Sequence, residues 1–158
     1  MSQIEQRAID AGSFISGLSR TLAAANGYLV ERMHAAGLKN LVPSHGDILI
    51  QLFDHDGMSM QELSAKIGRD PSTVTALVKK LADIGYVQTK KGDKDKRRIE
   101  VSLTHTGRGF KKEFESISRD LVKIQMLGID NNDFEATCKT LIKIQNNFSE
   151  AILKESEE

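Results

Sequence analysis

Between positions 72 and 98 the chain gathers side chains suited to holding phosphates and base edges rather than to making or breaking bonds. Ser72, Thr73, Thr75 and Ala76 are short, three of them hydroxylated, and Lys79 and Lys80 follow one helical turn later. A second basic cluster comes soon after, with Lys90, Lys91, Lys94, Asp95, Lys96, Arg97 and Arg98. Small side chains let a backbone approach a nucleic acid closely, a helix N-terminus favours an anion, and lysines add charge. An ordinary surface helix also turns Ser, Thr and Lys outward, so these residues acquire meaning only from the elements that position them.

Those elements can be read from start and stop signals. Ser59-Met60-Gln61-Glu62 is a capping box, after which Met60, Leu63 and Ile67 recur at helical spacing up to Gly68. Asp70 is an N-cap followed by Pro71 at the first helical position, where the missing N–H is harmless. Val74, Leu77, Val78 and Leu81 then form one stripe, which puts Ser72, Ala76, Lys79 and Asp83 on the far side. The segments Tyr86–Lys90 and Arg98–Leu103 are rich in β-formers and flank a Gly- and charge-rich loop, the pattern of a hairpin. Helix, turn, helix and basic hairpin make a winged helix-turn-helix, whose loop can reach along a DNA backbone or into a minor groove.

The charge distribution agrees. The 158 residues carry 22 Lys and Arg and 22 Asp and Glu, a formal net charge of zero. From Lys66 to Lys112, however, there are 13 basic against 5 acidic residues, a net +8, which leaves −8 on the rest. Such segregation is the footprint of a module that faces a polyanion. Hydrophobic content of 39%, charged content of 28%, two prolines and no tryptophan suit a mainly helical globular protein of one domain's length. No apolar run is long enough to span a bilayer, no export signal opens the chain, and the single Cys138 fits a reducing cytoplasm.

Long helices are predicted on either side of this module. About Gln6 to Gly37 reads as one, with Phe14, Leu18, Leu22, Leu29 and Met33 on a stripe. Pro43-Ser44, with Asp47 three residues after Ser44, starts a shorter helix that ends at Asp54-His55-Asp56-Gly57. Thr104 is placed to cap a long helix with Phe110, Phe114, Ile117, Leu121 and Ile124 at alternating spacings of 4 and 3, a heptad-like seam. Asp130 caps a last helix with Phe134, Cys138, Leu141, Phe148 and Ile152 on its seam. One small winged domain cannot cover all this apolar surface, and a dimer with interleaved terminal helices can.

The ordered motifs Glu62-Leu63-Ser64, Ser72-Thr73-Val74-Thr75, Leu77-Val78-Lys79-Lys80-Leu81, Gly85-Tyr86-Val87, Asp95-Lys96-Arg97, Val101-Ser102-Leu103-Thr104 and Gly107-Arg108 resemble the core and wing of the MarR family of bacterial transcription regulators. The resemblance is dense from about Pro43 to Arg108. It implies a mainly α fold with a small β-hairpin: a dimerisation helix over 1–42, a winged helix-turn-helix over 43–103 and dimerisation helices over 104–158. It also implies a two-fold dimer reading a palindromic operator, with half-sites about one helical turn (~34–36 Å) apart. By analogy Ser72, Thr73 and Thr75 contact phosphates and base edges, Ala76 packs on a thymine methyl, and Lys79 and Lys80 meet phosphates. In the wing, Arg97 enters the minor groove, Asp95 orients it, and Lys90, Lys91, Lys94, Lys96 and Arg98 add backbone contacts.

The function so implied is sequence-specific binding of double-stranded DNA by a transcription regulator, a repressor released by a small lipophilic or phenolic effector in a cleft lined by Tyr28, Met33, His34 and His45. The alternative is an architectural or protein-controlled module of the same fold. Enzyme function is not expected, since the chain has no G-x-S-x-G, Walker A, H-E-x-x-H or G-x-G-x-x-G motif. No cofactor is implied. His45 with Asp47, and His55 between Asp54 and Asp56, lack dependable metal spacing. Cys138, on an apolar seam, is expected to be a buried inert thiol.

Overall fold

The computed structural model describes residues 13–38, 40–91 and 98–155. The chain divides into two compact units, Met1–Arg119 and Asp120–Glu158. In the first, α1 (Phe14–Ala35) is followed by α2 (Pro43–Asp54), β1 (Met58–Ser59), α3 (Met60–Ile67) and α4 (Pro71–Asp83). A hairpin of β2 (Val87–Lys91) and β3 (Ile99–Leu103) comes next, then α5 (His105–Gly109) and the start of α6 (Lys111–Gln125). The remainder of α6 and α7 (Asn131–Glu155) belong to the second unit.

The core of the first unit is where the helical stripes and the inner face of the sheet meet. Ile48, Leu49 and Leu52 of α2, Leu63 of α3, Val74, Val78 and Leu81 of α4, Val87, Val101 and Leu103 of the strands, and Phe114 and Ile117 of α6 are all buried. Ile99, which shares the face of Val101 and Leu103, is exposed at the outer end of β3.

Among the described residues the sheet has three strands in the order β1-β3-β2, not the two of a bare hairpin. β1 pairs antiparallel with β3 through Met58↔Val101 and Ser59↔Glu100. Two residues are too few to show a strand period, so β1 leaves no signal in the sequence. The hairpin register runs from Val87↔Leu103 to Lys91↔Ile99.

α2 starts at Pro43, as Pro43-Ser44 announces, and the Val42 N–H donates to His45 Nδ1 at 3.2 Å. One helix start differs from expectation. Thr104 does cap a helix, accepting the Gly107 N–H at 3.0 Å, but that helix is the short α5, separated from α6 at Phe110. Gly107 and Gly109 lower helix propensity there, and Phe110 stacks on Tyr86 with ring centroids 5.4 Å apart. Gly107 also lets the backbones close up. A Cβ at this position would lie 2.1 Å from the Tyr86 carbonyl oxygen. The predicted helix from Gln6 is described from Phe14, its earlier residues lying outside the described ones.

In the second unit Asp130 caps α7 as predicted, accepting the N–H groups of Asn132 and Asp133. No residue of α7 is buried, and Phe148 and Ile152 are 56% and 67% exposed. Cys138 is half-buried rather than buried. No helix of the described residues is long and apolar enough to cross a membrane.

Candidate nucleic-acid interface

The capping box forms as the sequence requires. The Ser59 N–H donates to Glu62 Oε2 at 2.7 Å, and the Glu62 N–H donates to Ser59 Oγ at 3.2 Å. Gly68 ends α3 with φ +61°, a left-handed conformation that favours glycine. Asp70 then starts α4 by accepting the Ser72 N–H at 2.7 Å. With Val74, Val78 and Leu81 buried and Leu77 half-buried, Ser72, Thr73, Thr75, Ala76, Lys79 and Lys80 are all exposed. The six therefore form one outward face, next to a β2 strand whose Lys90 and Lys91 are exposed as well.

The chemistry of that face is narrower than its composition. The Ser72 hydroxyl donates to Asp70 Oδ1 at 2.5 Å, and the Thr75 hydroxyl donates to the Pro71 carbonyl at 2.8 Å. Their lone pairs remain able to accept from base amino groups, whereas donation to phosphate requires each to give up an internal bond. The Ser72 hydroxyl and N–H, with the Thr73 N–H, hold the Asp70 carboxyl below the usual carboxylate range. The anion favoured by this helix N-terminus is thus already present as Asp70 itself. Free positive charge on α4 lies further along, at Lys79 and Lys80.

Of the wing residues, Lys94, Asp95, Lys96 and Arg97 lie outside the described residues. Arg98 does not stand free for a backbone contact: its Nη2 is 3.0 Å from Glu62 Oε2. Two further long-range pairs brace the module. Arg69 Nη2 meets Asp47 Oδ2 at 3.0 Å, joining the turn after α3 to α2. Asp56 accepts the Leu103 N–H at 2.8 Å and the Gly57 N–H at 3.1 Å, and pairs with Arg108 Nη2. Burial opposes ionisation of Asp56, but the Leu103 N–H and the Arg108 guanidinium outweigh it, so its carboxyl stays below the ordinary range. Asp56-Gly57 announces a turn in the sequence; a partner 47 residues away leaves no local signal.

The four effector candidates differ in burial. Met33 is core at 2% exposure, Tyr28 is half-buried and His34 is exposed. His45 is 4% exposed, and its Nδ1 accepts the Val42 N–H, so the ring proton sits on Nε2. Burial, with Lys80 adding to it, lowers the pKa of His45. A separate pocket of about 240 Å³ opens between α2 and α6, lined by Ile50, Phe53, Asp54, Phe114, Glu115, Ser118 and Arg119. Among the described residues no group of three or more His, Cys, Asp or Glu is placed to hold a metal ion.

Comparison with known proteins bears on this arrangement. Residues 41–99, from the approach to α2 through the wing, match the MarR family. The chain is 30% identical over 70 residues to the HTH-type transcriptional regulator TtmR of Methylorubrum extorquens, a match covering 44% of this chain and 36% of TtmR. It spans from about a third to just over half of the length of the curated relatives it matches first. The fold is that of MepR of Staphylococcus aureus in a MepR–DNA complex, with TM-score 0.73, 18% identity and coverage of 84% of this chain and 96% of that one. It is equally that of CouR of Rhodococcus jostii RHA1 bound to p-coumaroyl-CoA, with TM-score 0.67, 21% identity and coverage of 87% and 93%. It is thus over residues 41–99, the segment that carries the winged helix-turn-helix, that the chain is similar to the MarR family.

Proposed function

We propose that this protein is a cytoplasmic, sequence-specific transcription regulator that binds double-stranded DNA as a homodimer on a palindromic operator, and that it represses until a small lipophilic or phenolic effector releases it. The observation that carries the reading is the face of α4: six short or cationic side chains outward and the aliphatic stripe inward, beside the lysines of β2. That face suits major-groove entry, with Lys79 and Lys80 against phosphates. It bears no Arg, Asn or Gln for bidentate base contacts, so DNA shape is expected to carry part of the specificity. A match to proteins termed transcriptional regulators, and a fold shared with a protein seen on DNA, support it.

The dimer is supported by apolar surface that the protomer leaves uncovered, Leu22 on α1 and Phe148 and Ile152 on α7. We accordingly assign dimerisation to 1–42 and 104–158, and DNA binding to 43–103. Effector control is favoured over a protein-controlled module by the pocket between α2 and α6. There Phe53 and Phe114, with centroids 5.6 Å apart, offer an aromatic wall, and Arg119 offers a cation for a weakly acidic ligand. The test is to enrich a preferred duplex from a random-sequence pool, measure affinity against salt, and then titrate phenolic carboxylates. No preferred duplex at moderate ionic strength would overturn DNA recognition. Failure of every such ligand to displace the duplex would overturn effector release.

A further inference from the structure

Arg98 and Glu62 meet across 36 residues of sequence, with Arg98 Nη2 within 3.0 and 3.1 Å of the two carboxylate oxygens. Glu62 is fixed before Arg98 arrives, because Oε2 also accepts the Ser59 N–H and the Ser59 hydroxyl, each at 2.7 Å. Arg98 is one residue before β3, where the wing loop returns to the sheet. β1 ends at Ser59, opposite Glu100, so the ion pair carries the β1–β3 attachment one step outward onto the first turn of α3. Both side chains are about half exposed, 55% and 51%, and an exposed pair does little for the folding equilibrium.

Resting on the DNA-binding reading, we propose that Glu62 is a positioning residue for DNA recognition: by holding Arg98 as an anchor, rather than leaving it as a phosphate contact, it sets how the β2–β3 hairpin, with Lys90 and Lys91 of β2, is held relative to α4. The assignment yields a sign. Glu62 is an acid near a polyanion, so if it were a bystander, or merely sequestered a phosphate-binding Arg98, removing its charge would tighten DNA binding. If it aims the hairpin, removing the charge weakens binding, because the contacts of the β2 lysines are lost.

Glu62→Gln makes the distinction, since Gln at this position still completes a capping box. The probe is the duplex that the wild-type protein enriches from a random-sequence pool. We expect E62Q to bind it about tenfold more weakly, with a shallower dependence of log affinity on log salt as phosphate contacts disappear, and with an unchanged thermal midpoint without DNA. Arg98→Gln, which leaves the cap alone, should weaken binding similarly, and the double variant should be no worse than either single one. Tighter or unchanged binding by E62Q, additive losses in the double variant, or weakening with an unaltered salt slope would each overturn the assignment. A wild-type protein that enriches no duplex would instead sink the DNA-binding reading itself.

Discussion

An alanine at position 107 would place its methyl carbon where the Tyr86 carbonyl already stands. The built Cβ lies 2.1 Å from that oxygen, 3.1 Å from its carbon and 3.3 Å from Leu103 Cδ2. Relief requires a backbone shift of about 1 Å in a close-packed region. The Tyr86 carbonyl accepts the Thr104 N–H at 3.0 Å and the Thr104 hydroxyl at 3.2 Å, so the shift strains both. Overpacking costs ~1–3 kcal/mol and each weakened hydrogen bond ~0.5–1.5, giving about 2–6 kcal/mol for Gly107→Ala. For a chain of this length that is a fall in Tm on the order of 10 °C. Urea unfolding and calorimetry read it directly. Gly109→Ala is the control, since a Cβ there meets nothing within 4 Å and should be neutral or stabilising by up to ~1 kcal/mol. A G107A protein within ~1 kcal/mol of wild type would refute the proposed backbone contact.

Three other outcomes are expected. His45 titrates near 6.5 when unfolded and lower when folded, so between the two values the unfolded chain binds more protons. Its contribution to stability is therefore whole above pH 6.5 and lost as pH falls toward the folded value; His45→Asn, which retains an acceptor for the Val42 N–H, should flatten that part of a stability–pH curve. Lys79→Ala and Lys80→Ala should weaken DNA binding about equally for all sequences and reduce the salt slope by ~1 each, as a filter-binding series would show. Phe148→Glu combined with Ile152→Glu should convert the proposed dimer to monomer in sedimentation, and an unchanged sedimentation coefficient would count against α7 as interface.

What was legible in the sequence was local. Ser59 with Glu62, Gly68, Asp70 with Pro71, and Asp130 are signals within four residues of the structure they dictate, and each forms as read. The inward stripe of α4 followed from period alone, and with it the outward face that carries the candidate contacts. What escaped depends on distant partners. β1 exists because β3 lies beside it, and Asp56 and Glu62 acquire their second roles from Arg108 and Arg98, far along the chain. The burial of the effector candidates was hidden for a related reason: Met33 and His45 fit both a ligand wall and a core by type, and only packing decides how far each is buried.

The strand order β1-β3-β2 also bears on how the protein behaves when crowded. An outer strand is a template on which a second copy can add its own, the first step toward fibrils. On one side the template is only the two residues of β1, too brief to seed a ribbon. On the other, β2 carries Lys90 and Lys91, so two copies aligning there would bring like charges face to face. The lysines suited to a polyanion would also keep the sheet from growing into a neighbour's, and neutralising them should make the purified protein prone to precipitate.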